Sequence, residues 1–107
     1  MKMKIEKWKA NLPDGTEQEE TLLTAINVLI AVKKPEDIPR GIEKFQIFGK
    51  IAEAFDRAEK TGTLELEKRE YGFLRETIEK EVPSTWALNK PLSKAITKFL
   101  TLEEEKV

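Results

Sequence analysis

Lysine side chains recur at every fourth position near the C-terminal end of the chain, as Lys90, Lys94 and Lys98. In a helix this spacing places three positive charges on one face, because residues four apart are neighbours on the helix surface. Such a face can contact phosphate groups or an acidic protein surface. It can equally be a solvated face whose lysine stems cover apolar surface. No aromatic interleaving suggests base stacking on this face, although Trp86 lies close in sequence.

The residue types present give little support for a catalytic or metal-binding function. Cysteine and histidine are both absent, which excludes disulfides, thiol nucleophiles, serine–histidine relays and zinc sites of the usual kinds. The five glycines are not clustered, so neither a dinucleotide-binding fingerprint nor a P-loop is present. We therefore predict no catalytic residues, no metal and no cofactor, and expect that the chain is not an enzyme.

Paired carboxylates are common, but acid–base catalysis needs a carboxyl whose pKa is shifted by burial or by a close partner. These pairs lie in polar, lysine-rich segments, so a solvated charged face is the favoured interpretation. The segment 55–68 also resembles a calcium-binding helix–loop–helix when Gly62 takes the loop glycine position. That alignment puts Arg57 and Lys68 at the anchoring ligand positions, which a cation site cannot tolerate. A helix hairpin with a glycine C-cap is the better prediction.

Composition bounds the class of protein. The chain has 107 residues, 39% of them hydrophobic and 36% charged, with 19 basic against 20 acidic side chains. A length of this order suits one domain with a core of its own. The net charge of -1 gives no reason to expect wholesale attraction to nucleic acid or to an anionic membrane. Abundant Lys and Glu, with no Cys, hint at a hot habitat.

No targeting or membrane signal is visible in the sequence. The positively charged start has no apolar run behind it, unlike an export signal. The most apolar stretch, residues 22–32, would span only about 17 Å as a helix, against about 30 Å of hydrocarbon. We expect a cytoplasmic protein that does not enter a membrane.

Strand signals are confined to short segments. Met1, Met3 and Ile5 alternate with charged residues, and this period of two predicts a short strand with one buried face. Residues 12–15 supply a turn, and the polar segment 16–20 can return as a second strand or run as a loop. We expect a two-stranded element formed by residues 3–8 and 63–66.

The first predicted helix covers about residues 22–33, with Thr21 as its N-cap and a loop at 35–39 after it. It is apolar nearly all round, so it is either the central helix or part of a subunit interface. Leu23, Val28 and Ile30 are its candidate interface residues. Trp86, in a Pro-Ser-Thr-Trp turn, is a further candidate because tryptophan often anchors interfaces.

Three more helical regions follow. The first covers about residues 40–60, and Gly49 inside it indicates a close crossing with another backbone or simple tolerance. Its predicted buried stripe consists of Ile42, Phe45, Phe48, Ile51, Phe55 and Ala58. The next covers 67–81, with Tyr71, Leu74, Ile78 and Val82 as its stripe. The last region covers 84–102, where Pro91 divides a short turn from a helix that Asn89 caps. Its apolar set consists of Trp86, Leu88, Leu92, Ile96, Phe99 and Leu100.

From residue 41 onward, over about two-thirds of the chain, the spacing of the apolar residues is similar to that of a known group of proteins. The residues that carry it are Glu43, Lys44, Phe45, Ile51, Leu64, Leu66, Leu74, Ile78, Pro83 and Leu92. In this layout the chain resembles small uncharacterised proteins of tailed phages and prophages. The resemblance implies a viral or mobile-element origin, and it brings no catalytic residues with it.

The fold we predict is mainly α: a compact domain of three to four helices over residues 1–107, with a small two-stranded β element (α+β). The leading functional hypothesis is a non-enzymatic accessory or assembly factor that binds a partner protein, or that self-associates through the first helix. The alternative is a nucleic-acid-binding regulator that uses Lys90, Lys94 and Lys98.

Overall fold

A computed structural model describes residues 1–11, 14–31, 36 and 40–102. Within these ranges the chain forms four α-helices and four short strands. The helices are α1 (Leu22–Ala31), α2 (Ile42–Thr61), α3 (Lys68–Glu81) and α4 (Lys90–Leu100), with a 3-10 turn at Ser84–Leu88. The strands are β1 (Lys2–Lys4), β2 (Trp8–Asn11), β3 (Glu17–Glu20) and β4 (Thr63–Glu65). The predicted mainly helical α+β class is confirmed.

The strands form two separate antiparallel pairs instead of the one pair expected. β1 pairs with β4, and Met3 faces Leu64 in this pair, both of them buried. The predicted pairing of the N-terminal strand with residues 63–66 is therefore correct for β1. From Trp8 onward the chain pairs instead with β3, so the polar segment before α1 is a strand. Lys9 and Glu17 lie diagonally across this hairpin and form an ion pair, with 3.6 Å between Nζ and Oε2.

One hydrophobic cluster joins the helices to the β1–β4 pair. Thr21 caps α1 as predicted, since its hydroxyl accepts from the backbone N–H of Leu23 at 3.1 Å. Four residues of α1 are buried in the cluster: Leu22, Leu23, Ile26 and Leu29. The predicted end of this helix at residues 32–33, most of the loop at 35–39 and the last five residues lie outside the described ranges.

The face that α2 turns to the core differs from the predicted one. Ile51, Phe55 and Ala58 are buried as expected, but Ile42 and Phe45 are 71% and 73% exposed. Ile47 and Ala54 complete the buried face instead. The prediction failed because steps of three and four residues also connect the outer apolar side chains of this helix. Of the two alternatives given for Gly49, the close crossing is not found among the described residues, since a Cβ there would meet no atom within 4 Å.

The C-terminal half follows its local signals closely. Gly62 ends α2 in the left-handed conformation, at a φ of 80°. Asn89 caps α4 by accepting from the N–H of Leu92 at 3.4 Å, and Pro91 lies in the first turn, as predicted. Tyr71, Leu74 and Ile78 are buried on α3. Leu88 departs from prediction, because it is 84% exposed.

In the described segments, no helix has both the length and the apolar character that crossing a bilayer requires.

Candidate functional site

The three lysines of α4 line a cavity of about 300 Å³ between that helix and the N-terminal strands. Leu92 and Phe99 face the core, so a face turned away from them carries Lys90, Lys94 and Lys98. The opposite wall comes from the segment that leaves β1 and enters β2. We call this cavity the lysine cleft, and its lining residues are Met3, Lys4, Ile5, Glu6, Lys7, Trp8, Leu22, Lys90, Pro91, Lys94, Ala95 and Lys98.

The lysine cleft is strongly positive for a chain of net charge -1. Five lysines and one glutamate line it, so positive charges outnumber negative ones by four. In the part of the chain that the structure describes, none of the five lysines forms an ion pair. Lys90 and Pro91 also bring the first turn of α4 to the cleft, and helix N-termini carry partial positive charge. An anion is the ligand that this arrangement favours.

Hydrogen bonds fix the wall opposite α4. The N–H of Ile5 donates to the carbonyl of Gly62 at 2.8 Å, which continues the pairing of β1 beyond the strand itself. The indole Nε1 of Trp8 donates to Glu20 Oε2 at 3.2 Å across the β2–β3 hairpin. One edge of the Trp8 ring is therefore held in place, while the residue stays partly exposed in the cleft.

One wall of this cleft was predicted from the sequence, and the other was not. The i,i+4 spacing brought Lys90, Lys94 and Lys98 together as expected. Lys4, Lys7 and Trp8 lie more than 80 residues away in sequence, and no local pattern linked them to α4. The tryptophan that lines the cleft with the lysines is thus Trp8, whereas Trp86, which is closer in sequence, lines a different groove. The alternating N-terminal pattern was the only available signal, because it predicted a strand that packs on the helices.

The four candidate interface residues do not form one surface. Val28 and Trp86 line the same groove, of about 400 Å³, between α1, β3 and the 3-10 turn. Leu23 is 3% exposed and lies in the core, so it is not available to a partner, and this part of the expectation is corrected. Ile30 is partly buried and packs against the core. The α1 helix uses most of its apolar surface within the chain, which is why its all-round hydrophobicity did not indicate an interface.

A second apolar face on α2 was not predicted as a surface. It points away from the core and consists of Ile42, Phe45, Gly49 and Ala52, all exposed and spaced by three, four and three residues. We call it the outer face of α2. Beside it, Phe48 contacts Phe73 edge-to-face with ring centroids 5.3 Å apart.

A buried carboxylate lies on α3 next to the core. Glu70 is 1% exposed, and neither of its oxygens has a hydrogen-bond partner among the described residues. Its closest described cation is Arg69, with 3.7 Å between Nη2 and Oε1. No group of three or more His, Cys, Asp or Glu side chains in the described segments is placed to hold a metal ion.

Comparisons with known proteins assign no function to the surfaces described above. No protein-family model, no curated protein and no solved structure matches the chain. The resemblance to small proteins of tailed phages therefore stays a prediction.

Proposed function

We propose that the chain is a non-enzymatic accessory or assembly factor that binds a partner protein through the outer face of α2. The observation that carries this proposal is the exposure of Ile42 and Phe45, at 71% and 73%, one turn apart on a single helix. Scattered single apolar side chains on a surface are normal, but an aligned pair of this size forms a patch.

The energy available from this face is large enough for specific recognition. Burying a Phe or Ile side chain completely stabilises an assembly by about 1.5–3 kcal/mol. A few such anchors usually carry most of the binding energy of a protein interface. An amphipathic helix that inserts residues at three- and four-residue steps into an apolar groove is a common way to use them.

Gly49 and Ala52 fit the same function. A glycine inside a helix destabilises it by about 1 kcal/mol relative to alanine. The space around Gly49 is open, so packing among the described residues does not account for the glycine. Small side chains in the C-terminal half of the outer face allow the backbone of a partner helix to approach closely. The partner we propose is accordingly a protein with an apolar helix or groove.

The side of the outer face is apolar as well. Phe48 and Phe73 pack together there, and the ammonium group of Lys44 lies 5.3 Å from the centroid of the Phe73 ring. A cation at that distance can interact with the aromatic ring. This contact holds a charged rim beside the apolar centre, the usual arrangement of interfaces.

Self-association is one form that this binding can take, and it would use α2 and not α1. Leu23 lies in the core, and Val28 is the large apolar residue that α1 leaves half exposed. We further propose a cytoplasmic location, which suits a chain without cysteine, and an origin in a phage or prophage, on the resemblance given above.

Site-specific photo-crosslinking tests the proposal. A photoreactive phenylalanine analogue replaces Phe45 in one variant and Gln46 in the other, and both are expressed in the source cells. Gln46 is exposed and is the next residue along the same helix, so it is a matched control. We expect one discrete crosslinked protein from position 45 and none from position 46. A crosslink to a second copy would identify self-association.

A Phe45→Ser variant separates binding from folding. Because Phe45 is 73% exposed, the free energy of unfolding should change by no more than about 0.5 kcal/mol. The crosslinked product, formed in this variant from a photoreactive group at position 42, should be lost. Equal crosslinking from positions 45 and 46, or none from either, would contradict the proposal.

A further inference from the structure

We propose that the lysine cleft is a second binding site, which takes single-stranded nucleic acid. In this arrangement the phosphates lie along the lysines of α4, and one base packs against Trp8. The site is independent of the outer face of α2, and the inference does not rest on the protein-binding function proposed above.

The spacing of the lysines favours a chain of phosphates over a single one. Residues four apart in a helix are separated by about 6 Å along its axis, so Lys90 and Lys98 lie about 12 Å apart. A single phosphate could contact only one or two of these ammonium groups at a time. A polymer with regularly spaced charges can contact Lys90, Lys94 and Lys98 together.

The floor of the cleft favours a ligand that also carries a flat apolar group. Ile5 and Ala95, both partly exposed, supply aliphatic surface in the cleft. Trp8 supplies an aromatic ring whose edge is fixed by the hydrogen bond to Glu20. Proteins that bind single strands combine these same two features, a positive groove for the backbone and aromatic rings on which bases stack.

The size of the cleft favours a single strand over a duplex. Its volume of about 300 Å³ is at the lower end of the range of small-ligand sites. A cavity of this size can take an unpaired base, whereas the bases of a duplex are stacked and paired and cannot enter it. A duplex would contact only the lysines at the rim and would leave the apolar floor unused.

The charge of the remaining surface makes the proposal specific to this site. The whole chain has a net charge of -1, so its surface as a whole does not attract a polyanion. Binding should therefore depend on the cleft itself. Replacing one cleft lysine should weaken binding, and replacing a lysine elsewhere should not.

Fluorescence gives a direct test on the full chain. A Trp86→Phe variant leaves Trp8 as the single tryptophan, and its emission is followed as a deoxythymidine or uridine 12-mer is added at low salt. We expect the oligomers to quench Trp8. For three phosphate contacts the logarithm of the binding constant should fall with the logarithm of salt concentration with a slope of about -2. Anisotropy of a labelled oligomer with the unmodified chain repeats the measurement without the Trp86 substitution.

Two matched variants distinguish binding in the lysine cleft from nonspecific electrostatic attraction between the oligomer and the protein surface. Lys94→Gln and Lys60→Gln change the net charge equally, and Lys60 is an exposed residue in the last turn of α2, outside the cleft. We expect Lys94→Gln to weaken binding several-fold and Lys60→Gln to leave it unchanged. Trp8→Leu should weaken binding about fivefold or more, because the stacking contribution is lost.

Four results would overturn the proposal. They are no binding of either oligomer at low salt, equal binding of a duplex of the same length, equal binding of inorganic polyphosphate, and equal effects of Lys94→Gln and Lys60→Gln. Each of them leaves the crosslinking result at Phe45 untouched, so the two proposals can fail separately.

Discussion

Glu70 has a charged side chain at a position that the fold buries. Its carboxylate is almost fully removed from solvent, and no described group donates a hydrogen bond to it. Desolvating a polar group without a hydrogen bond destabilises the folded state by about 1–3 kcal/mol. Arg69 offsets part of this effect, but its side chain is about half exposed and solvent screens the attraction.

Replacing Glu70 by methionine should therefore stabilise the protein. An unbranched apolar side chain of similar length removes the unsatisfied oxygens and leaves Arg69 in contact with water. We expect the free energy of unfolding, measured by urea denaturation, to rise by about 1–3 kcal/mol. Glu59→Met, at an exposed position of α2, is the control and should stay within about 0.5 kcal/mol. A loss of stability in Glu70→Met would show that the carboxylate has a partner on which the fold depends.

The position of Glu70 in the sequence indicated burial, whereas its residue type indicated exposure. Leu74 and Ile78 follow it at four-residue steps, so Glu70 begins the face that α3 turns to the core. A glutamate at the start of an otherwise apolar stripe is read as the end of that stripe, because most glutamates are exposed. Only the packing of the neighbouring elements decides whether such a residue is covered.

Helix ends were predictable, whereas the rotation of a helix about its own axis was not. Asn89, Pro91 and Gly62 act through the backbone within a few residues, so the limits of α4 and the end of α2 follow from local sequence. The α2 helix carries two apolar stripes, and both satisfy the same helical spacing. In the folded chain, tertiary contacts bury the stripe with Ile47 and Ile51 in the core, and the other stripe is exposed.

The N-cap of α4 gives a prediction at this scale. Asn89→Ala removes the side-chain oxygen that accepts from the N–H of Leu92, so the free energy of unfolding should fall by about 1 kcal/mol. Asn89→Ser keeps an acceptor at the same position and should retain most of the stability. Urea denaturation of both variants checks the prediction. Equal losses for alanine and serine would mean that the side-chain cap contributes nothing to the stability of α4.

At the scale of the whole molecule, backbone hydrogen bonds join residues that are distant in sequence. The backbone N–H of Leu66 donates to the carbonyl of Met1 at 2.8 Å, and the ammonium group of Met1 donates to the carbonyl of Leu66 at 2.9 Å. The strand pair was predictable because an alternating segment and a short extended segment were the two best strand candidates. The lysine cleft was not predictable as a whole, since it forms where the segment between β1 and β2 lies beside α4, and no sequence pattern fixes their relative position.

Tyr71 joins α3 to the end of α4, and we expect it to make the stability of the whole molecule sensitive to alkaline pH. Its hydroxyl donates to the carbonyl of Phe99 at 2.6 Å, and the two rings pack with centroids 5.0 Å apart. Burial raises the pKa of the Tyr71 hydroxyl above its ordinary value of 10.0, although the positive charge of Arg75 acts in the opposite direction. In the unfolded chain the same hydroxyl ionises near 10.

As the pH rises above about 10, the unfolded state therefore loses this proton first, and the free energy of unfolding falls until the folded-state pKa is passed. Tyr71 is the only tyrosine of the chain, so phenolate absorbance during an alkaline titration reports on it alone. We expect a midpoint above 10 while circular dichroism still shows folded helices. Tyr71→Phe should be about 1 kcal/mol less stable than the unmodified chain at neutral pH, because the hydrogen bond is lost. That difference should shrink above pH 10, since phenylalanine has no proton to lose, and a midpoint at or below 10 in the folded chain would contradict the role assigned to burial.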